Sequence, residues 1–287
     1  MTKVFYCKKC VYPSSSAVPL AFDENGICSG CRTYQETREV DWKDRRKKFE
    51  KLIEEYRNKN GTGYDCIIPV SGGKDSYFQV HLIKKVYGLN PLLVTYNGNN
   101  YTKEGMENLI NMRDVFGVDH IFFTLSVDTL KKLNRLGMQM MGRVNWHYAA
   151  GIFTYPIRVA VETNTPLMIW GEHGFMDLGG MHSYNDFVEF TYRFRHEHAL
   201  GGYEWSDYVR QAPKFGEKLK KHELIPLMYP SDKDIARIGV RGIYIPNYFK
   251  WDANIHGPQM IEKYGFKVAE KPFERTYRRM SNLDDMH

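Results

Sequence analysis

The spacing of apolar positions changes several times along the chain, and each change predicts an element. Phe49, Leu52, Ile53 and Tyr56 recur at i, i+3, i+4 and i+7 among Lys, Arg and Glu, which predicts an amphipathic helix. The run Asn58-Lys59-Asn60-Gly61-Thr62-Gly63 ends it. An apolar strand follows at Asp65 to Val70, then a helix at Ser76 to Tyr87 closed by Gly88, and a strand at Leu92 to Tyr96. A helix from about Thr102 to Phe116 is closed by Gly117, and a strand runs from His120 to Thr124. Helical patterns cover Val127 to Met141 and Trp146 to Thr163 before another strand, Leu167 to Trp170. Short apolar strands separated by helices imply an α/β fold: a doubly wound, mainly parallel sheet with its ligand crevice at the carboxyl ends of the strands.

From Gly171 to about Tyr208 this periodicity gives way to Gly, His, Asp, Arg and aromatics, read as loops or a small insertion overhanging the crevice. Ser206 to His222 has a helical pattern that Pro213 interrupts, while Arg241 to Pro246 and Pro258 to Tyr264 receive no assignment. The expected organisation is a cysteine module over 1–35, a connecting helix over 36–63, a nucleotide-binding core over 64–175, and a crevice-covering, substrate- or partner-binding part over 176–287.

With 287 residues, 43% of them hydrophobic and 14% aromatic, the chain can fill a sizeable core. Its net charge of +6 favours anionic ligands such as nucleotides without demanding nucleic acid. No apolar run reaches the roughly 18 to 20 residues of a membrane span, and the first residues lack the apolar core of a signal peptide. A cytoplasmic protein with no membrane partner is expected.

Of the five cysteines, Cys7, Cys10, Cys28 and Cys31 form two CxxC pairs separated by 17 residues, the spacing of a four-cysteine zinc knuckle or ribbon. An iron–sulfur cluster and two disulfides are the alternatives. A four-thiolate shell leaves no open position for a substrate, so the site reads as structural.

The strand at Asp65 to Val70 feeds Ser71-Gly72-Gly73-Lys74-Asp75-Ser76. A Walker A loop needs four residues between its first glycine and Gly-Lys-Ser/Thr, and this segment lacks that frame. Its physical content is nevertheless clear. Gly72 and Gly73 permit close backbone approach, a helix N-terminus supplies N–H groups, Ser71 and Ser76 add hydroxyls, and Lys74 adds a mobile positive charge. That is an anion cradle.

The same six residues match the SGGxDS signature of the PP-loop (N-type) ATP pyrophosphatase superfamily, whose members cleave ATP to AMP and pyrophosphate while activating an oxygen as an adenylate. The resemblance implies that the loop holds pyrophosphate and that the end of the next strand, Thr95 and Tyr96, lines the adenine site. The order CxxC…CxxC, SGGKDS, "LLVTYN", "GIFTYPIRVA", "PLMIWGEH", "IPNYFKWD" further resembles the N-acetyl sugar amidotransferase family of bacterial surface-polysaccharide (LPS O-antigen) and nonulosonic acid pathways. This implies conversion of an acetamido group on a sugar or UDP-sugar into an acetamidino group, with ATP, Mg²⁺ and structural Zn²⁺. Family members continue beyond the position matching His287, so a C-terminal piece is expected to be missing. Cys66, the remaining cysteine, sits in a buried strand pattern, so ammonia is expected from outside. The resemblance implies a separate pair similar to the glutaminase and cyclase subunits of imidazole glycerol phosphate synthase.

Asp75 is the first candidate to support Mg²⁺ or orient the loop, with helix capping as the alternative. Glu172 and His173 follow a strand end, where Glu172 could hold Mg²⁺ or the sugar and His173 could accept a proton from ammonium. The alternative for both is a hydrogen-bonded loop without chemistry, and Asp177 and His182 are weaker candidates. Asn97, Asn99 and Asn100 could touch ribose or sugar hydroxyls or form a turn. Arg193 and Arg195, in the cluster Tyr192 to His198, could bind nucleotide-sugar phosphates or nucleic acid or form a solvated face. Two rivals stand beside the amidotransferase: a PP-loop tRNA-thiolating enzyme, disfavoured because no cysteine follows Cys66, and a zinc-ribbon interaction module that only senses ATP.

Overall fold

Five strands share one sheet in the computed structural model, which describes residues 3–15, 20–58, 61, 63–171, 173, 179–272 and 279–280. They are β1 (Cys66–Pro69), β2 (Pro91–Asn97), β3 (His120–Thr124), β4 (Leu167–Trp170) and β5 (Arg241–Tyr244), in the order β3-β2-β1-β4-β5. The pairings of β1 with β2, β1 with β4 and β2 with β3 are parallel, with Ile67 opposite Leu92 and Met168, and Leu93 opposite His120. Every residue of β2 and β4 is buried, as near-continuous apolar strands covered on both faces must be. Strand order reverses between β1 and β4, and such a reversal opens a crevice at the carboxyl ends. The segment Ser71 to Ser76 leaves that end of β1.

Several helices begin on a capping side chain, and some end on a left-handed glycine. The helix α1 (Ser29–Glu36) starts on Cys28 and α2 (Trp42–Glu54) on Asp41, which accepts from the amides of Lys43 and Asp44. The segment α3 (Lys74–Val80) runs into a π-helical turn, His81–Val86, so the helix expected at Ser76 starts two residues earlier and widens midway. Thr102 caps α4 (Lys103–Phe116) at the Gly105 amide, Ser126 caps α5 (Val127–Met141) at Thr129, and left-handed Gly117 and Gly142 end them. The chain then forms α6 (Trp146–Glu162).

The later elements correct the sequence reading. The pattern over Ser206 to His222 is α7 (Trp205–Gln211) and then two 3-10 turns, Ala212–Phe215 and Lys221–Leu227. Pro213 stands at the start of a new turn where the helix stops, and left-handed Gly216 ends that turn. Two further helices arise where none was assigned: α8 (Asp232–Ile238), capped by Ser231, and α9 (Ala253–Tyr264), capped by Asp252 and containing Pro258. A π-helical turn covers Phe194–Ala199.

The chain divides into two compact units. The first is Met1–Glu55, Trp170–Glu189 and Ile243–Trp251; the second is Tyr56–Ile169, Phe190–Gly242 and Asp252–His287. In the first, the buried Arg45 guanidinium donates to the Asn247 carbonyl at 3.0 Å and Asn185 Oδ1 at 3.2 Å and lies 3.9 Å over the Phe187 ring. Ser29 donates to the Gly179 carbonyl at 2.6 Å. Beside it Gly180, at φ +59°, has no room for a Cβ, which would lie 2.3 Å from the Ser29 oxygen.

In the second unit Trp146 is fully buried, stacked on Tyr208 at 4.2 Å, and donates through Nε1 to the Leu200 carbonyl at 2.7 Å. The Tyr77 hydroxyl donates to the Asn108 carbonyl at 2.6 Å and accepts from Asn111 at 3.0 Å. Asn108 itself pairs both ways with Lys267: its Nδ2 donates to the Lys267 carbonyl at 2.9 Å, and its Oδ1 accepts from the Lys267 amide at 2.8 Å. Two histidines are held neutral here. Burial is the first cause that brings His120 and His147 down to about 4, aided for His120 by Arg113.

Because both folded values lie below the ordinary 6.5, their contribution to stability is present above pH 6.5 and is lost as pH falls toward 4. Urea unfolding midpoints are expected to fall steadily between those pH values, and His147→Gln is expected to flatten that fall. An equal pH dependence in the variant would show that His147 does not contribute.

Candidate functional site

The turn from β1 into α3 is built around backbone. Gly72 has φ +77°, and a Cβ there would sit 2.9 Å from Leu109 Cβ. Gly73 is the N-cap of α3 and no side chain caps it, which leaves the end of the helix open to an anion. The two serines brace the turn: the Ser71 amide donates to Ser76 Oγ at 3.1 Å, and the hydroxyls lie 3.3 Å apart. Lys74 Nζ donates to Asp75 Oδ2 at 2.5 Å. The other oxygen, Asp75 Oδ1, is buried and has no hydrogen-bond partner among the described residues. A buried carboxylate oxygen left over in this way fits a hard cation such as Mg²⁺.

Neighbouring residues of the second unit extend the site. Thr95 donates to the Val70 carbonyl at 2.6 Å, and its hydroxyl therefore accepts from His120 Nε2 at 2.9 Å. Tyr96, expected beside adenine, has its ring in the core, 2% exposed, with its hydroxyl 3.1 Å from His147 Nδ1. A Cβ on Gly151 would lie 2.4 Å from that ring, so only the backbone of Tyr96 is left to offer a ligand. Asn97 and Asn99 form a turn: the Asn99 amide donates to Asn97 Oδ1 at 2.8 Å, and Asn99 has φ +59°. Asn97 also donates to Thr124 Oγ1 at 3.1 Å.

The sequence reading missed α9. A Cβ on Gly257 would lie 3.5 Å from Lys74 Cδ, so the lysine stem crosses the helix where a side chain is absent. The ring of His256 stacks on Phe78 at 3.5 Å. Burial first lowers its pKa; the charge of Lys74 also lowers it, and Asp252 and Asp75 act in the opposite direction. The available signal was Asp252 as a cap before His256 and Met260, four residues apart and both buried, hidden by Pro258.

His173 is buried in the first unit, its ring edge-on to Tyr244 at 4.5 Å and to His182 at 5.7 Å. Glu172 and Asp177 lie outside the described residues. The two candidate arginines part company. Arg193 is exposed and paired with Glu197 at 2.9 Å, whereas Arg195 is buried and donates to Asp232 at 2.8 Å.

The four N-terminal cysteines converge. The sulfurs of Cys7, Cys10, Cys28 and Cys31 all lie within 4.8 Å of one another, and those of Cys10 and Cys28 are 3.6 Å apart. Four thiolates bound tetrahedrally at about 2.3 Å are spaced by about 3.8 Å, so the arrangement fits one metal ion. Burial alone would raise the Cys7 thiol, but the N–H groups of Cys10, Cys28 and Lys9 outweigh it and bring it down to about 6. Cys28 and Cys31 are raised, first by burial, and thiolates gathered this closely repel one another unless a cation lies among them. The lone Cys66 is fully buried and its thiol is pushed up by burial, as expected of an inert core cysteine.

No protein-family model matches the chain. An uncharacterized protein of Methanocaldococcus jannaschii is 32% identical over 116 residues, which cover 39% of this chain and 40% of that protein. Several solved structures resemble it at low identity. A U34-tRNA thiolase of Methanococcus maripaludis with a [4Fe-4S] cluster is 15% identical, with 96% of this chain and 76% of that one covered and a TM-score of 0.38. An NH3-dependent NAD synthetase of Campylobacter jejuni is 16% identical over 69% and 92%, TM-score 0.37, and an NMN synthetase of Francisella tularensis is 14% identical over 81% and 99%, TM-score 0.38. The fold of the chain is a five-stranded, mainly parallel α/β sheet with a four-cysteine cluster at its N-terminus.

Two outcomes test this geometry. Gly72→Ala is expected to cost roughly 1–3 kcal/mol, read as a lower urea midpoint; an unchanged midpoint would show that the turn relaxes freely. Metal analysis of the purified protein is expected to find one ion per chain, and Cys28→Ser to bring that close to zero. A full complement in the variant would exclude Cys28 as a ligand.

Proposed function

We propose that the chain is an ATP-dependent N-acetyl sugar amidotransferase. It transfers AMP from ATP to the amide oxygen of an acetamido group, releases pyrophosphate, and lets ammonia replace the oxygen. The observation that carries the nucleotide half of this reading is the Ser71 to Ser76 turn at the switch point of the sheet. There an uncapped helix end, a glycine that excludes any Cβ and a lysine meet a buried carboxylate oxygen that bonds to none of the described residues. The acceptor half rests on the family resemblance of the sequence.

An amide oxygen leaves poorly, so it must first become part of a better leaving group. The oxygen attacks the α-phosphorus of ATP, the bond to the β-phosphate oxygen breaks, and pyrophosphate departs with the electron pair. Ammonia then adds to the amide carbon, loses a proton, and AMP leaves with the former amide oxygen, giving an amidine. The N–H groups at Gly73 and the start of α3, with the Ser71 and Ser76 hydroxyls, bind the departing pyrophosphate, and Lys74 neutralises its growing charge. Asp75 would hold Mg²⁺ through Oδ1, and the ion, when bound, screens the phosphate charges. Thr95 holds the carboxyl end of β1 at Val70, which fixes where the turn begins. Cys7, Cys10, Cys28 and Cys31 would hold zinc as a structural ion. Ammonia arrives from a separate glutaminase, because Cys66 is too deeply buried to serve as a nucleophile.

The test is incubation with ATP, Mg²⁺, ammonium and a panel of N-acetylated UDP-sugars, reading pyrophosphate and product mass. The amidine is about one mass unit lighter than its acetamido parent, since NH replaces O. Lys74→Ala is expected to lower pyrophosphate release by about 100-fold or more while leaving the metal content unchanged. Pyrophosphate release stimulated by tRNA alone would sink the sugar assignment, and full turnover in Lys74→Ala would remove the lysine from its role.

A further inference from the structure

The π-helical turn at Phe194–Ala199, the start of α7 and the approach to α8 border a half-open cavity of about 210 Å³ within the second unit. Drug-sized ligands occupy roughly 300–1,000 Å³, so this space suits a single small ring. Tyr192, Trp205 and Tyr229 supply aromatic walls. Of the eleven lining residues only Leu200, Leu227 and Pro230 lack a side chain able to hydrogen-bond.

The charges here are already paired. Arg195 donates to Asp232 at 2.8 Å while its guanidinium lies 4.9 Å over the Tyr229 ring, and His196 Nε2 is 3.4 Å from Glu204 Oε1. One arginine faces two carboxylates, so a phosphate entering the cavity would meet net negative charge. That argues against the nucleotide-phosphate and nucleic-acid roles considered for the cluster. A further group points to a ligand: the Tyr229 hydroxyl is buried and has no hydrogen-bond partner among the described residues. Burial raises its pKa, so the proton stays on the oxygen.

We propose that this cavity binds one uncharged pyranose. An apolar C–H face of the sugar lies on the aromatic walls. Its hydroxyls, which both donate and accept, donate to Asp232 and Glu204 and accept from Arg195 and the Tyr229 hydroxyl. The two carboxylates call for several donors on the ligand, of which a pyranose carries more than a nucleobase. The site needs neither ATP nor a metal, so its test reads separately from the adenylation chemistry.

The full chain is titrated, without ATP, with N-acetylglucosamine, glucose, galactose, uridine, adenosine and inorganic phosphate, while the tryptophan indole N–H resonances are followed. A pyranose is expected to saturate the protein and to shift the Trp205 resonance, identified by its loss in Trp205→Phe. Tyr229→Phe is expected to weaken that binding by about three- to tenfold without lowering the thermal midpoint, because the deleted hydroxyl bonds to none of the described residues. Should Tyr229→Phe fail to fold, the Trp205 shift in the unmodified protein decides. The proposal is overturned by saturation with uridine, adenosine or phosphate alone, by no saturation with any pyranose, by pyranose binding that leaves Trp205 unmoved, or by equal affinity in folded Tyr229→Phe.

Discussion

Gly72 has no space for a side chain, and the second unit is organised around that restriction. With φ +77° and Leu109 only a bond length or two beyond the missing Cβ, the chain must leave β1 in one direction. Ser76 then comes back to the Ser71 amide, and Tyr77 points at the backbone of α4, where Asn108 and Asn111 receive it. Packing beyond the turn continues the same logic: Asn111 reaches the Tyr264 carbonyl, and Gly257 makes room for the Lys74 stem. A glycine in the turn thus fixes α3, and α3 fixes where α4 and α9 can lie against it.

Much of this was legible beforehand because the signals were local. The strands β3 and β4 and the helix α5 have the bounds that periodicity predicts, and Gly88, Gly117 and Gly142 end their helices by adopting positive φ. The six-residue turn was legible for the same reason, since its glycines, serines and lysine are adjacent in sequence. Long-range pairings were not. Nothing in the pattern around Asp252 ties His256 to Phe78, and Pro258 within α9 disguises the helix. At Tyr96, a strand-end position read as site-lining, the ring points into the core and the backbone stays at the strand end, because alternate residues of a buried parallel strand face opposite helical layers.

The first unit holds two dense groups of polar contacts beside its apolar core. Arg45 is buried against a carbonyl, an amide oxygen and an aromatic face, with no carboxylate among these contacts, and burial lowers its pKa from the usual guanidinium value. Four thiols gathered within one small space add a second concentration of polar atoms in that unit. Neither feature gains its stability from transfer of hydrocarbon out of water. Each depends on directional partners, so each is sensitive to the loss of a single atom.

The Asn108 side chain binds Lys267 as a strand would, offering one acceptor and one donor to a single residue. It is in effect a β-ladder one rung long, made by an amide that belongs to a helix. A ladder of that length has little cooperativity of its own, and the segment after α9 is held beside it by the buried Phe266 ring, edge-on to Tyr77 at 5.3 Å, and by the Lys267 ammonium on Glu107 at 2.8 Å. Lys267 is thus tied to α4 through both its backbone and its side chain, while the ring just before it belongs to the packing of α3.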